Sequence, residues 1–540
     1  MPLEVRDRGL WRDWGFAFIL ALPIFLFYAA HFAAELLDPT HIGTGFVQKD
    51  QAEYMASARE FIDGEHAGLL YAQPSTPSYN EKPAVIQLHL LALSVVWRIS
   101  GADPGILFVV YGLVFTLLGI RVFMALFDHV VPLKGTTRRV GQLIFVWGGG
   151  VLSLIGAVVA WTNGYHGVDL LKQAMCIDPA WGWWSMNLGR SQIVANEAFY
   201  HAVVFTALLC LLKQRYFITL LLTITLIWCH PFSGVELTAI LIAWSVAEFL
   251  LVRPKTVPTW FPISLIAAIL PYAWYVLEWV PKNANPNLAD SLRLNYNVAW
   301  YASVCAYLLV VGFVIARVKL SGGAAKLWRD PSFRLFAMMA LACFALENNE
   351  RFISPPLQPA HFTRGYLWSA LFLLGAPWVF STAWPWLRSR TFRFRHVAAA
   401  GAVLFLLSDN IAFFTIASGS QLHAKYAGMW LQKDDYDAMA ALERTTAQRV
   451  LVVCETPKLG YATTVYTRFR SFCGHSMDDL ATEVRCEGQE AYFQGRTMDP
   501  ALGGELFVIA GKQRGNFVPP GRAELIHENN TYRVWHVNAP

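Results

Sequence analysis

The sequence predicts a polytopic α-helical membrane bundle followed by a small soluble α/β or α+β domain, and three observations carry that prediction. Only 15% of the 540 residues are charged while 55% are hydrophobic, and mean hydropathy is +0.38, a balance that leaves a chain of this size too much apolar surface for water. Apolar runs able to cross a roughly 30 Å hydrocarbon core recur from the N-terminus to residue 417. Beyond that point the pattern changes to short strand-like runs separated by polar turns.

The apolar runs number about eleven by the length criterion. They cover residues 14–37, 104–127, 141–161, 195–212, 216–230, 233–252, 259–280, 298–317, 333–347, 365–386 and 396–417. The pair 216–230 and 233–252 is divided only by CHPFSG, which reads as a tight outer turn or a broken helix. Arg6, Arg8 and Arg12 precede the first run as in a secretory signal, but its length favours a retained anchor. With the N-terminus inside, every predicted inner loop is basic, from Lys134, Arg138 and Arg139 to Arg388, Arg390, Arg393 and Arg395. The outer stretch 38–83 carries seven Asp or Glu against three Lys or Arg. An odd number of spans then places the tail outside. The net charge of +5 reflects this orientation and not nucleic-acid binding.

Residues 1–417 are therefore read as the membrane module, with an outer loop at 38–103, and residues 418–540 as an extracytoplasmic domain of about 120 residues, enough for its own core. In the tail, KYAGMWLQKDDYDAMAALERTTAQ has helical periodicity, RVLVVCE and ELFVIAG read as buried strands, and AELIHENNTYRVWHV reads as a hairpin turning at Asn529 and Asn530. Cys210, Cys229, Cys305 and Cys343 lie in or beside spans as packing residues. Cys176, Cys454, Cys473 and Cys486 fall on the outer side, where Cys473–Cys486 is one disulfide the spacing allows. No CxxC or His-rich spacing suggests a metal, and no cofactor is called for. The GGG at 148–150 follows no strand, so it serves close packing and not phosphate binding.

In the outer loop, DQAEYMASAREF places Tyr54, Ala58 and Phe61 at helical spacing, which predicts a short amphipathic helix over 50–61 on the membrane surface, with Asp50 at or near its N-cap. Residues 83–99 predict a second interfacial helix opened by Pro83. At about sixteen residues it is short for a span, and counting it as one would invert the charge pattern of every later loop.

This loop resembles the first outer loop of the GT-C glycosyltransferases related to protein O-mannosyltransferases and the lipid A aminoarabinose transferase. There an Asp precedes a Tyr and then an Arg-Glu pair, matched here by Asp50, Tyr54, Arg59 and Glu60. NEKPAVIQLHLLAL is similar to that family's Glu-Lys-Pro segment, and SGADPG to the turn into the second span. The resemblance covers about the first 130 residues in motif and the remainder in architecture. Gln51 stands where many relatives carry a second acid, and Ala84 where a second Pro is common. The resemblance implies an enzyme that moves a sugar from a polyprenyl-phosphate carrier to a lipid, glycan or protein acceptor, inverting the anomeric centre, in a cell-envelope membrane of bacterial inner-membrane type. It also implies a phosphate contact for Lys82.

That chemistry needs a general base for the acceptor hydroxyl and a cation for the departing phosphate. Asp50 suits the first and Lys82 the second, as a point charge at the membrane surface. The structural alternative is a helix cap and an interfacial anchor. A second cluster, ENNERFISPPLQPAHFTRGYLW, offers Arg351 and Arg364 for the donor phosphate and Glu350 and His361 for the acceptor. Glu53, Tyr54 and Asp169 are further sugar- or acceptor-binding candidates. The stretch 161–190 adds Trp161, Tyr165, Trp181, Trp183 and Trp184 for stacking or an interfacial belt, together with Asp178 and Arg190. His230 faces a cavity or packs. YTRFRSFCGHSMDD, with Arg468, Arg470 and His475, reads as a lid or an acceptor-docking loop, with an ordinary solvated loop as the structural alternative. Two other classes compete: a transporter or flippase of a lipid-linked saccharide, suited by a broken helix near His230, and a non-catalytic membrane assembly protein displaying the tail.

Overall fold

The computed structural model describes residues 10–64, 66–74, 79, 82–149, 152–175, 187–252, 257–283, 307–423, 430–474, 482–496 and 504–538. In chain order the first half runs α1 (Leu10–Leu37), β1 (His41–Gly43), α2 (Lys49–Asp63), β2 (His66–Ala67), β3 (Leu70–Tyr71), α3 (Leu88–Ser100), α4 (Pro104–Val130), α5 (Gly135–Trp147), α6 (Leu152–Thr162) and α7 (Gly167–Met175). It continues through α8 (Ala195–Leu212), α9 (Tyr216–Ile227), α10 (Pro231–Leu251), α11 (Trp260–Trp274), α12 (Leu308–Leu320), α13 (Pro331–Glu347), α14 (Tyr366–Trp378) and α15 (Phe392–Leu422). The tail follows as β4 (Trp430–Gln432), α16 (Lys433–Glu443), β5 (Leu451–Cys454), α17 (Pro457–Tyr466), β6 (Arg470–Ser471), α18 (Thr482–Phe493), β7 (Leu506–Gly511), β8 (Arg522–Glu528) and β9 (Tyr532–Asn538). These elements form two compact units, one of Met1–Phe27, Tyr111–Tyr272 and Arg293–Gly419, the other of Tyr28–Val110, Ala273–Leu292 and Ser420–Pro540.

Among the described residues, seven helical stretches are long and apolar enough to cross a membrane: Asp13–Leu37, Pro104–Val130, Ala195–Leu212, Pro231–Leu251, Trp260–Asn283, Pro359–Arg388 and Arg393–Leu422. Each coincides with an expected span. Of the other four expected spans, three fall in helices shorter than these seven, and the fourth is described only in part. Residues 141–161 divide into α5 and α6, the expected span at 216–230 gives the twelve-residue α9, residues 333–347 lie in α13 at seventeen residues, and part of 298–317 lies outside the described residues. Between α9 and α10 the chain makes a tight turn, not a broken helix. His230 caps α10 by accepting the Ser233 N–H at 3.2 Å, and Pro231 follows at the first turn.

Lipid removes the hydrophobic drive between helices, so the first unit is held by close packing and by polar pairs. A Cβ on Gly112 would lie 2.7 Å from Ala195 Cβ, and one on Gly141 would lie 2.4 Å from Phe127. Phe145 stacks on Phe372 at 5.8 Å and meets Phe127 at 6.0 Å. At the break after α5, Gly148 abuts Trp368, with Cβ clearance of only 2.6 Å, and Gly149 abuts Asn187. The packing role expected for this glycine run therefore holds for those two residues, although they pack an extended break and not a continuous helix. Two of the basic residues expected on an inner loop are paired: Arg139 meets Asp13 at 2.7 Å, and Arg138 bridges Asp13 and Asp128. Arg334 and Glu248 form a bidentate pair in which both side chains are buried.

In the second unit the tail forms a five-stranded mixed sheet ordered β6-β5-β7-β9-β8. The run ELFVIAG supplies β7, buried along its whole length because it lies inside the sheet, parallel to β5 and antiparallel to β9. The expected hairpin is present, with Asn529 Oδ1 accepting from the N–H groups of Thr531 and Tyr532 at 3.0 and 2.7 Å. Cys473 and Cys486 are joined, with their Cα atoms 5.1 Å apart, and Cys454 is free and buried. One expectation fails at the start of the tail. Trp430–Gln432, read as helical, is a strand paired antiparallel with His41–Gly43 in the loop after α1, and the helix begins only at Lys433, where Gln432 and Asp435 form a reciprocal capping box.

Candidate functional site

The motif DQAEYMASAREF is helix α2. Its N-cap is Gln48 and its first helical residue is Lys49, so Asp50 lies two residues past the cap, near it as expected. Asp50 lies inside the first turn, half-buried, 3.4 Å from Gln48 Nε2, where a carboxylate interacts favourably with the helix dipole. Glu53 and Tyr54 follow three and four positions later and so share its side of the helix. Glu53 is 9% exposed, and the Tyr54 ring lies 6.3 Å from that of His89 on α3. Gln51 is fully buried and accepts the Val47 N–H at 2.7 Å. The residue that replaces a second acid thus ties down the loop entering α2.

α2 has more than the one buried stripe that periodicity suggested. Ala52, Ala56 and Ser57 are buried along with Ala58 and Phe61, and the helix packs on both α3 and α17. Small residues on the second face permit the approach of α17, a contact that no local pattern signals. The motif's Arg-Glu pair ties α2 to the tail, Arg59 to α17 and Glu60 to β6. Glu60 receives a 2.7 Å ion pair from Arg470, with side chains 9% and 3% exposed. Arg59 reaches Asp63 at 3.0 Å, the Val465 carbonyl at 3.1 Å and Glu443 at 3.3 Å, with its guanidinium over Trp97.

Lys82 is exposed. The helix expected from Pro83 begins instead at Leu88, because residues 84–85 pair with Tyr71: the N–H groups of Ala84 and Val85 both donate to the Tyr71 carbonyl at 3.0 Å. A second proline at position 84 would lack that donor. Tyr275 also donates to the Ala84 carbonyl, at 2.5 Å, so Lys82 emerges from an anchored extended segment. SGADPG ends α3 at Gly101 (φ +59) and starts α4, with Asp103 Oδ1 accepting from Gly105 and Ile106 N–H at 2.9 and 3.0 Å. Gly105 is required there, since a Cβ would fall 1.6 Å from the Thr44 carbonyl oxygen. His89, whose ring faces that of Tyr54, is a neighbour of the candidate residues that the sequence did not single out; its only signal was a polar position within IQLHLLAL. Burial pushes its imidazole pKa down to about 3, so it is neutral at physiological pH.

In the first unit, Arg364 is 2% exposed and gathers several partners. It meets Glu197 at 3.0 Å, His230 Nδ1 at 3.1 Å, Ser233 Oγ at 3.0 Å and His361 Nδ1 at 2.9 Å. Because His230 Nδ1 also accepts the Ser233 N–H, that nitrogen carries no proton. His361 stacks on Phe232 at 4.4 Å. Two expected residues, Arg364 and His361, are therefore brought together with His230 and with Glu197 and Ser233, which were not singled out. A lone acid in the first turn of an otherwise apolar span was the available signal for Glu197. Arg351 and Glu350 lie in a short 3-10 turn, 3.8 Å from each other, with Arg351 half-exposed. Asp169 is exposed in the first turn of α7. Arg190 is buried over the Phe413 ring at 4.7 Å. Trp161 and Tyr165 are exposed. His475, Asp178, Trp181, Trp183, Trp184, Cys176 and Cys305 lie outside the described residues. Among the described residues no group of three His, Cys, Asp or Glu converges as a metal's ligand set.

The fold defines a polytopic helical membrane protein in which helix α2, with its acidic residues, packs against the C-terminal α/β sheet domain. Among solved structures the chain is similar to ArnT from Cupriavidus metallidurans bound to undecaprenyl phosphate, at 11% identity over 97% of this chain and 98% of that one, with a TM-score of 0.48. It is similar to the apo state of the same protein at 10% identity over 95% and 97%, with a TM-score of 0.49. It is also similar to the archaeal oligosaccharyltransferase AglB from Archaeoglobus fulgidus, in complex with an inhibitory peptide and a dolichol-phosphate, at 12% identity over 91% and 69%, with a TM-score of 0.40. No family model and no curated protein matches the chain.

Proposed function

We propose that this protein is an integral-membrane glycosyltransferase that moves a sugar from a polyprenyl-phosphate carrier to a lipid, glycan or protein acceptor on the extracytoplasmic side. The observation that most supports this reading is the placement of Asp50, a half-buried carboxylate in the first turn of α2, on the side of the helix that also carries Glu53 and Tyr54. In the reaction Asp50 takes the proton of an acceptor hydroxyl as its oxygen attacks the anomeric carbon. The bond from that carbon to the phosphate oxygen breaks on the opposite face, and the polyprenyl phosphate leaves with the electron pair. Direct displacement inverts the centre. Lys82 stabilises the developing phosphate charge, and Glu53 and Tyr54 orient the sugar or acceptor. Arg351 and Arg364 are further candidates for anion binding, Glu350, His361, Asp169 and His475 for acceptor or sugar contacts, each testable by substitution. Residues 1–417 form the catalytic module and 418–540 an outer domain, in a bacterial inner membrane. The chain needs no cofactor and takes no nucleic-acid partner in this reading.

Two measurements check parts of the proposal. Lys82→Ala is expected to slow transfer by at least tenfold while the protein remains folded and inserted; unchanged turnover would assign Lys82 to interfacial anchoring. For orientation, a cysteine introduced at Glu528 is expected to react with a membrane-impermeant thiol reagent in intact cells, and one at Thr391 is expected to be protected. The reverse labelling would invert the active-site side. Consumption of a radiolabelled polyprenyl-phosphate sugar tests the activity itself and separates it from transport or assembly.

A further inference from the structure

A cavity of about 840 Å³ opens where the C-terminal end of α2 meets the tail, and none of the residues assigned above to base or phosphate lines it. Four guanidinium groups do: Arg59, Arg449, Arg468 and Arg470, against the carboxylates of Glu60 and Asp63. Glu60 and Asp63 are taken up by Arg470 and Arg59. Arg468 contacts Glu443 at 3.6 Å and donates to the carbonyls of Thr445 and Ala447. Arg449 is exposed and holds a left-handed backbone, φ +55, a conformation rare for a side-chain-bearing residue and concentrated at functional loops.

Two of the hydroxyl groups lining the same cavity have a fixed polarity. Thr445 and Thr464 donate their protons to the carbonyls of Leu442 and Tyr461, both at 2.8 Å. Each therefore offers the cavity an acceptor oxygen. Arginine side chains only donate. The cavity is thus complementary to a molecule that carries anionic oxygens for the guanidiniums and hydroxyl donors for the threonines, and its lining holds little apolar surface for a prenyl chain. Its volume lies within the ordinary range for small-ligand sites, about 300–1,000 Å³.

We infer that this cavity binds an anionic saccharide, phosphorylated or carboxylated, and that it is a docking site for the acceptor. The second half of that statement rests on the glycosyltransferase reading; the first does not. Glu60 follows Asp50 by ten residues on one helix, so the cavity lies about 15 Å along α2 from the proposed base at 1.5 Å per residue. An acceptor anchored by its charged sugar at one end of α2 would then present a hydroxyl group further along the chain to the other.

The test is equilibrium binding to the full-length protein in detergent, with glucose 1-phosphate, glucuronate and neutral glucose as probes. Saturable binding of at least one charged sugar is expected, at least tenfold tighter than glucose, and the stronger of the two identifies the anion. Arg449→Gln should weaken that binding about tenfold with the thermal midpoint unchanged, and Arg449→Lys should recover part of it. Charged sugars binding no better than glucose, or Arg449→Gln binding as tightly as wild type, would overturn the inference. Because binding is read without turnover, a chain that binds the sugar but transfers nothing would sink the glycosyltransferase reading and leave the cavity assignment standing.

Discussion

Asp50→Asn is expected to lower turnover by roughly 10² to 10⁴ fold, the range for loss of a general base, with little change in stability. An amide keeps the shape and the contact with Gln48 but cannot take up the acceptor's proton. Asp50 lies inside α2 and is not its cap, so the structural loss is limited to the carboxylate's interaction with the helix dipole, about 0.3–1 kcal/mol. The catalytic loss corresponds to about 3–5 kcal/mol in the barrier at 1.36 kcal/mol per decade. The two effects differ enough to be separated by measuring transfer rate and thermal midpoint on the same preparation. Near-normal turnover in Asp50→Asn would remove the base assignment, and Glu53 on the same side of the helix would be the next residue to test.

Arg470→Ala is expected to open the second unit, since it leaves the Glu60 carboxylate buried without its 2.7 Å partner. Breaking such a pair by removing one member costs about 3–5 kcal/mol, whereas an exposed pair is worth about 0–1 kcal/mol. The guanidinium also lies over the Tyr79 ring at 5.0 Å, so some packing is lost as well. Replacing both members, Glu60→Gln with Arg470→Leu, should recover most of the loss because no uncompensated charge remains. Proteolysis of the tail as a function of urea reads the difference. A single variant as resistant as wild type would show that Glu60 and Arg470 do not hold α2 to the tail.

The long spans were legible because length and apolarity are local properties, and the helices over 195–212 and 104–130 start where the sequence said they would. The hairpin at Asn529 and the buried strand 506–511 were legible for the same reason. The failures are tertiary. Pro83 read as a helix opener until Tyr71 supplied a partner for the backbone that follows it. Trp430–Gln432 read as helix until His41–Gly43 paired with it across nearly four hundred residues. Among the candidate residues, Asp50, Tyr54 and Lys82 were visible as a motif, and Arg59 and Glu60 were visible in it but not their purpose, because their partners Glu443 and Arg470 lie far along the chain. His89 and Glu197 stood in apolar helices where one polar residue is easily read as packing.

The measurement that tests the proposed activity most directly is transfer from a radiolabelled polyprenyl-phosphate sugar in vesicles containing the purified full-length chain and an extract of envelope lipids and glycans. The expected result is protein-dependent loss of label from the carrier, release of free polyprenyl phosphate in equal amount, and appearance of the label on an acceptor with inverted anomeric configuration. A carrier-linked sugar that crosses the bilayer or stays bound, with its phosphate bond intact at every protein concentration, would contradict it.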